Sequence, residues 1–234
     1  MISVCLATYN GEKYLRDQID SILYQLGEND EIVVSDDGST DATIEILNSY
    51  NDNRINIFYN EAPHGVNRNF ENALKHAKGD YIFLSDQDDV WLPMKIEVCG
   101  KMLKEADCIV HDCIVTSGNL EVISLSLFNE INAGPGFYKN LKKNSFTGCC
   151  MAFTKDVLKK ILPIPDSKLF YHDQWIGLIA SLSFKTLFFK QQLIYFRRHN
   201  TNASSVADKS RQSFATKVVS RLAILKALIH RYVI

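Results

Sequence analysis

Three carboxylates in four residues, Asp86, Asp88 and Asp89, follow directly on the apolar stretch Tyr81-Ile82-Phe83-Leu84. An apolar run of that length reads as a buried strand. A buried strand that ends in clustered acids needs a positive partner, because unpaired buried carboxylates are costly. A divalent cation is the natural candidate, since magnesium and manganese take oxygen ligands and share them with substrate phosphates. Other polar turns stand in the same relation to apolar runs: Thr8-Tyr9-Asn10-Gly11 follows residues 2–7, and Asp36-Asp37-Gly38-Ser39-Thr40-Asp41 follows residues 31–35.

The elements that must position these groups alternate. Strands are predicted at 2–7, 31–35, 54–59 and 81–85. Helices are predicted at 12–26, with Leu15, Ile19, Ile22, Leu23 and Leu26 on one face, around Ile44 and Leu47, at 66–77 ending at Gly79, and at 91–103. Ser39 or Thr40 is expected to cap the second helix. This β-α-β-α order predicts an α/β fold with a mainly parallel twisted sheet and helices on both faces. Ligands of such sheets bind beyond the carboxyl ends of the strands, and all three polar turns fall on that edge. Residues 101–203 are less regular. Strands are expected at 108–116, 122–127, 146–153, 186–189 and 193–197, some of them in a small second sheet. Helices are expected at 156–161 and 173–181, and a mobile loop at 131–138 around Gly134, Pro135 and Gly136. Residues 1–203 then form one domain with halves 1–100 and 101–203, and a linker at 204–211 leads to a basic amphipathic helix within 204–234.

Bulk properties agree with a globular enzyme-sized domain. The 234 residues are 46% hydrophobic, with 26 basic and 27 acidic side chains, which excludes disorder as the default. The six cysteines include no CxxC pair and predict reduced thiols in a cytoplasmic setting. No signal peptide and no transmembrane run are expected. Charge is lopsided: residues 1–100 carry 18 acidic and 7 basic side chains, whereas Lys209, Arg211, Lys217, Arg221, Lys226 and Arg231 face a single acid, Asp208, in 207–234. In the last segment Val218, Leu222, Leu225 and Ile229 follow helical spacing. A basic amphipathic helix suits an anionic leaflet, and it equally suits packing on the domain or on a partner. No nucleic-acid motif is present.

In order, Ala7-Thr8-Tyr9-Asn10-Gly11, Ser35-Asp36-Asp37-Gly38-Ser39-Thr40-Asp41, residues 79–89, Trp91-Leu92-Pro93, Thr147-Gly148-Cys149-Cys150-Met151 and His172-Asp173-Gln174-Trp175 resemble the family 2 glycosyltransferases, whose nucleotide-sugar-binding fold is called GT-A. The resemblance covers residues 1–200 and is most specific over the first hundred. It implies a base pocket lined by Thr8, Tyr9 and Glu12, with Tyr9 against the pyrimidine. Asp37 would accept the base imide N–H, Asp86 would face the ribose, and Asp88 would ligate Mn2+ or Mg2+ in the manner of a DXD motif. Asp173 would be the catalytic base. His199, in Arg197-Arg198-His199-Asn200, would close over the diphosphate or metal. From its own chemistry rather than the resemblance, the Trp175 ring is expected to pack on the apolar face of the acceptor sugar.

The reaction implied is inverting transfer of one sugar from a UDP- or dTDP-linked donor to a saccharide or lipid-linked acceptor in cell-surface polysaccharide synthesis, in the cytoplasm or peripherally on the inner face of the membrane. The form of residues 86–91 is similar to a rhamnosyltransferase subgroup, which implies dTDP-rhamnose. Processive relatives carry a Gln-x-x-Arg-Trp motif that this chain lacks. Two other readings stay open. A nucleotidyltransferase would share the layout, although Thr8-Tyr9-Asn10-Gly11 lacks the glycine-rich basic loop such enzymes carry. A non-catalytic nucleotide-sugar-binding subunit would retain the donor acids without needing Asp173.

Overall fold

The apolar runs read from the sequence become the middle of one sheet. In the computed structural model, residues 1–199 and 213–233 are described; the expected linker and the boundary at 203/204 lie outside them. The first half comprises β1 (Ile2–Thr8), α1 (Leu15–Leu23), β2 (Glu31–Asp36), α2 (Thr43–Ser49), β3 (Ile55–Tyr59), α3 (Val66–His76), β4 (Tyr81–Asp86), β5 (Val90–Trp91) and α4 (Lys95–Met102). β1, β2, β3 and β4 are parallel, in the spatial order β3-β2-β1-β4. The chain therefore builds outward from β1 to β3 and then crosses back to place β4 on the other side of β1. That reversal opens a crevice at the carboxyl ends of β1 and β4, where Ala7 is in register with Asp86, and Thr8 with Asp36 of β2.

The second half adds β6 (Cys108–Ser117), β7 (Val122–Ser124), α5 (Leu127–Ile131), α6 (Phe137–Lys142), a 3-10 turn (Gly148–Cys150), β8 (Met151–Thr154), α7 (Lys155–Ile161), α8 (His172–Ser183), β9 (Thr186–Arg198) and α9 (Phe214–Val233). There is no separate second sheet among the described residues. β8 joins β4 antiparallel, β6 joins β8, and β9 and β5 complete the order β4-β8-β6-β9-β5, with β7 on β6.

Several boundaries differ from the sequence reading for local reasons. Trp91 is in β5, paired with Ile194, and not in a helix; Pro93 disfavours helical backbone at Leu92, so α4 begins only at Lys95. α3 ends at Ala77 in extended conformation, and Gly79 serves a different need: a Cβ there would stand 2.6 Å from the Ser3 backbone nitrogen. α2 is not capped by Ser39 or Thr40. Asp41 Oδ1 accepts the Thr43 N–H at 3.0 Å, while Ser39 is turned to Asp36. The strand expected at 122–127 stops at Ser124, because Ser126 caps α5 by accepting the Asn129 N–H. The loop around Gly134 and Gly136 is pinned by buried Asn140, whose amide donates to both carbonyls. The first part of the strand expected at 146–153 is the 3-10 turn, and the two late strands are one, β9, with register shifts opposite Asp112.

The core is continuous from β2 through β4 to β6 and α8, and all six cysteines are free and buried within it. α9 lies on the second half with Ile224 and Leu228 buried. Arg221 donates to the Lys142 carbonyl, and Arg231 to those of Leu162 and Pro163. The stripe that the spacing singled out points elsewhere: Val218, Leu222 and Ile229 are exposed. No helix among the described residues is long and apolar enough to cross a membrane.

Candidate active site

A cavity of about 270 Å³ opens at the crevice between β1 and β4, lined by Thr8, Tyr9, Asp37, Asp86, Asp88 and Asp173 among others. Residues singled out from separate stretches of the sequence thus line one cavity.

At one end the turn after β2 presents Asp37. Its N–H donates to the Thr8 carbonyl at 2.9 Å. Its carboxylate is held by Asn60 Nδ2 at 2.6 Å, His64 Nδ1 at 3.0 Å and the Gly65 N–H at 2.9 Å. Each carboxylate oxygen has two acceptor sites, so a fixed Asp37 retains capacity for one further donor. Thr8 is buried and gives its hydroxyl to Asp36. Asp36 in turn accepts from Gly38, Ser39 and Thr8, so it builds the turn.

The middle of the cavity is the acidic run. Gln87, which spacing did not single out, pairs with the Tyr9 backbone through two hydrogen bonds: Tyr9 N–H to Oε1 at 2.8 Å and Nε2 to the Tyr9 carbonyl at 2.9 Å. Gly11 makes room for it, since a Cβ there would lie 2.3 Å from Gln87 Oε1. Asp88 Oδ2 is 2.9 Å from His199 Nε2. Burial, then the charges of Asp88 and Asp173, push Asp86 up to about 7. Asp89 is fully buried and accepts the Arg197 N–H at 3.0 Å; burial first, then Asp88 and Asp86, push it well up. This crowding of carboxyl groups, beside a carboxylate and an imidazole facing each other, fits a divalent cation such as Mn2+ or Mg2+. A second grouping, Asp86, Asp89 and Cys149, also has ligand atoms within 4.8 Å of one another. Its chemistry is different. The Cys149 thiol is held protonated by a hydrogen bond to Cys150, then by burial and the charge of Asp89, whereas a thiol must lose its proton to ligate. Beside it, buried Lys95 donates to the Cys149 carbonyl at 2.8 Å and lies 3.9 Å from the centre of the Trp91 ring.

At the far end the first turn of α8 presents Asp173. Oδ1 accepts the Gln174 N–H at 2.7 Å and Oδ2 accepts Asn144 Nδ2 at 3.3 Å. Buried His172 stacks on Phe70 and fills the place where a side chain on Gly148 would be, 2.9 Å from its Nε2.

The sequence model of glycosyl transferase family 2 matches residues 3–162, the stretch that carries the acidic turns after β2 and β4 and nearly all of the parallel half-sheet. The chain belongs to glycosyl transferase family 2. A relative 31% identical over 186 residues is the UDP-Glc:alpha-D-GlcNAc-diphosphoundecaprenol beta-1,3-glucosyltransferase WfgD of Escherichia coli; the match covers 76% of this chain and 70% of WfgD. Among solved structures, S. aureus TarS 1-349 in complex with UDP-GlcNAc aligns with TM-score 0.67 at 17% identity, over 98% of this chain and 72% of that one. The mannosyltransferase PcManGT from Pyrobaculum calidifontis, in complex with GDP-Man and Mn2+, aligns with TM-score 0.61 at 16% identity, over 98% and 75%. These two likenesses carry the GT-A fold.

Two site expectations for this family 2 enzyme are corrected by the geometry. Glu12 is not in the cavity wall: its Oε2 accepts the Ala42 N–H at 2.9 Å and its N–H donates to Asp41, which fastens the turn after β1 to the start of α2. Trp175 does not face an acceptor. It is 1% exposed, donates Nε1–H to the Ile161 carbonyl at 2.8 Å and packs on Phe170. Its position two residues after Asp173 turns it to the opposite face of α8, which spacing on a helix could have signalled.

Proposed function

We propose that this family 2 glycosyltransferase moves one sugar, with inversion, from a nucleoside-diphosphate donor to a saccharide or lipid-linked acceptor. The observation that carries the reading is the meeting of Asp37, Asp86, Asp88 and Asp173 on one cavity at the strand-order reversal. Asp37 accepts the imide N–H of uracil or thymine, and Tyr9, exposed on the wall, packs on the base, with Thr8 beneath. Asp86 receives the ribose. Asp88 and His199 would hold Mn2+ or Mg2+, which would offset the charge developing on the leaving diphosphate. Asp173 takes the proton of the acceptor hydroxyl as its oxygen bonds to the anomeric carbon and the bond to the diphosphate breaks, a contribution of about 10²–10⁴ in rate. The donor named for WfgD, UDP-Glc, favours uridine over thymidine, and its diphosphoundecaprenol acceptor supports a lipid-linked substrate here.

Residues 1–203 serve as the catalytic domain and the C-terminal helix as an accessory. Exposed Val218, Leu222 and Ile229, beside Lys226, support peripheral contact with an anionic leaflet on the cytoplasmic face. Liposome flotation with Leu222→Ser/Ile229→Ser tests this, and flotation equal to the parent chain removes it. The main reading is tested by calorimetric titration with UDP-glucose, UDP-GlcNAc and dTDP-rhamnose, with and without Mn2+. Asp88→Ala should lose the metal-dependent binding. Asp173→Asn should keep it and lose transfer; undiminished transfer by that variant would sink the base assignment.

A further inference from the structure

His199 is nowhere near Asp88 in sequence, yet its ring is held beside it, by one group from the opposite end of the chain, Tyr14, and through it by Arg197, two residues away. Tyr14, at the start of α1, lies with its ring centre 4.8 Å from that of His199, tilted by 35°. The Arg197 guanidinium carbon is 4.7 Å from the same Tyr14 ring centre. Arg197 is 2% exposed and ties three places together. Its guanidinium pairs with Asp17 on α1, its Nη1 reaches the Asp88 carbonyl at 3.4 Å, and its N–H donates to Asp89. Gly118, just after β6, closes the outer side: a Cβ there would stand 2.6 Å from the Tyr14 hydroxyl oxygen and 3.9 Å from His199 Cβ. Buried arginine is an expensive choice unless its fork is used, and here the fork joins α1 to the acidic turn.

We infer that Tyr14 and Arg197 are positioning residues that fix the His199 imidazole beside Asp88, so that the two can share one divalent cation. The inference rests on the assignment of Asp88 and His199 as metal ligands. Groups that orient a ligand in this way change metal affinity without touching the metal. A structural role alone predicts lost stability with an unchanged metal site.

The test is Mn2+ affinity of the full chain in the presence of UDP, read by the free-Mn2+ EPR signal, with donor and acceptor KM alongside. Tyr14→Leu should weaken Mn2+ binding by about 10-fold or more, raise donor KM, and leave acceptor KM unchanged. In a His199→Ala background Tyr14→Leu should add nothing, because its effect passes through the imidazole; an additive loss overturns the proposal. A gentler variant covers the case in which Tyr14→Leu unfolds. Gly118→Ala should weaken Mn2+ binding by pushing the Tyr14 hydroxyl, and Tyr14→Phe should rescue it by removing the oxygen the new methyl meets. Failure of that rescue, or Mn2+ affinity at the parent value in both Tyr14→Leu and Gly118→Ala, overturns the proposal while His199→Ala still weakens binding. Unchanged Mn2+ affinity in His199→Ala overturns the ligand assignment itself, and the positioning pair with it.

Discussion

The two halves of the sheet hold their site residues by different means. In the first hundred residues each such side chain emerges within three residues of a parallel strand's carboxyl end. Its partners lie in neighbouring turns: Tyr9 with Gln87, Asp37 with Thr8 and Asn60. In the second half the site residues are held from a distance. The start of α8 is fixed by Asn67 of α3, whose Oδ1 accepts the His172 N–H at 2.7 Å and whose Nδ2 donates to the Ser167 and Phe170 carbonyls. His199 is set by α1 through Tyr14. The turns around Asp37 and Tyr9 are held from within the first half, whereas the start of α8 and His199 borrow their geometry from it. On the proposed roles, donor binding should therefore survive damage at the start of α8, though not at His199, and transfer should not survive damage to the first half.

The sharpest way to break that asymmetry is Asp173→Asn. We expect kcat to fall by about 10²–10⁴ while calorimetric donor affinity stays within about twofold, since no partner of Asp37 or Asp88 is altered. A parallel loss of donor affinity would mean that the two ends are one unit. Next comes Trp175→Ala, which removes a fully buried ring and its bond to Ile161. Aromatic-to-alanine changes in a core cost about 3–5 kcal/mol, so urea unfolding should shift by that order. Acceptor KM, read well below the new Tm, should not change; a rise there would return the ring to the acceptor. A smaller effect is expected from Gly11→Ala. The added methyl displaces Gln87 from the Tyr9 backbone, and losing two such bonds costs about 1–3 kcal/mol. We expect that loss in donor affinity, measured by calorimetry, with acceptor KM untouched.

The same contrast explains what is legible in the sequence. β1 to β4 and the carboxylates at their ends can be read because a buried parallel strand is an unbroken apolar run, and the residues next in the chain are the residues at its edge in space. Asp37 and Asp86 need no long-range information. Glu12 misleads because its turn is at the right edge, yet the side chain bends back to the Ala42 N–H. Gln87, Tyr14 and Arg197 leave no mark in the pattern, because amides, tyrosines and arginines at turns and strand ends are common and their partners are remote. Gln87 meets the Tyr9 backbone across 78 residues, and Arg197 reaches the acidic turn across 108 and 109. β9 reads as two strands because Lys190-Gln191-Gln192 interrupts the apolar pattern, while in space it is the bulged stretch opposite Asp112. The apolar spacing of α9 suits a membrane and a packed face equally, because spacing identifies a stripe but not what covers it.

The mildest prediction concerns the carboxyl groups crowded after β4 before any ligand arrives. An aspartate in an unfolded chain titrates near ~3.9, whereas burial first, then Asp88 and Asp173, push Asp86 up to about 7 in the fold. Between those values the native state holds a proton that the unfolded chain has lost. Stability then falls as pH rises through that window, and the full cost is carried above it. Asp86→Asn removes the ionisable group. In chelator-treated buffer the variant should therefore melt above the parent chain by a margin that grows from about pH 4 to about 7 and then levels off. With Mn2+ and UDP added the order should reverse, because ligand binding stabilises only a chain that can hold it. A margin that stayed constant with pH, or widened toward acid, would mean that crowded carboxylates are not what this edge is built around. The asymmetry would then rest on hydrogen bonding alone.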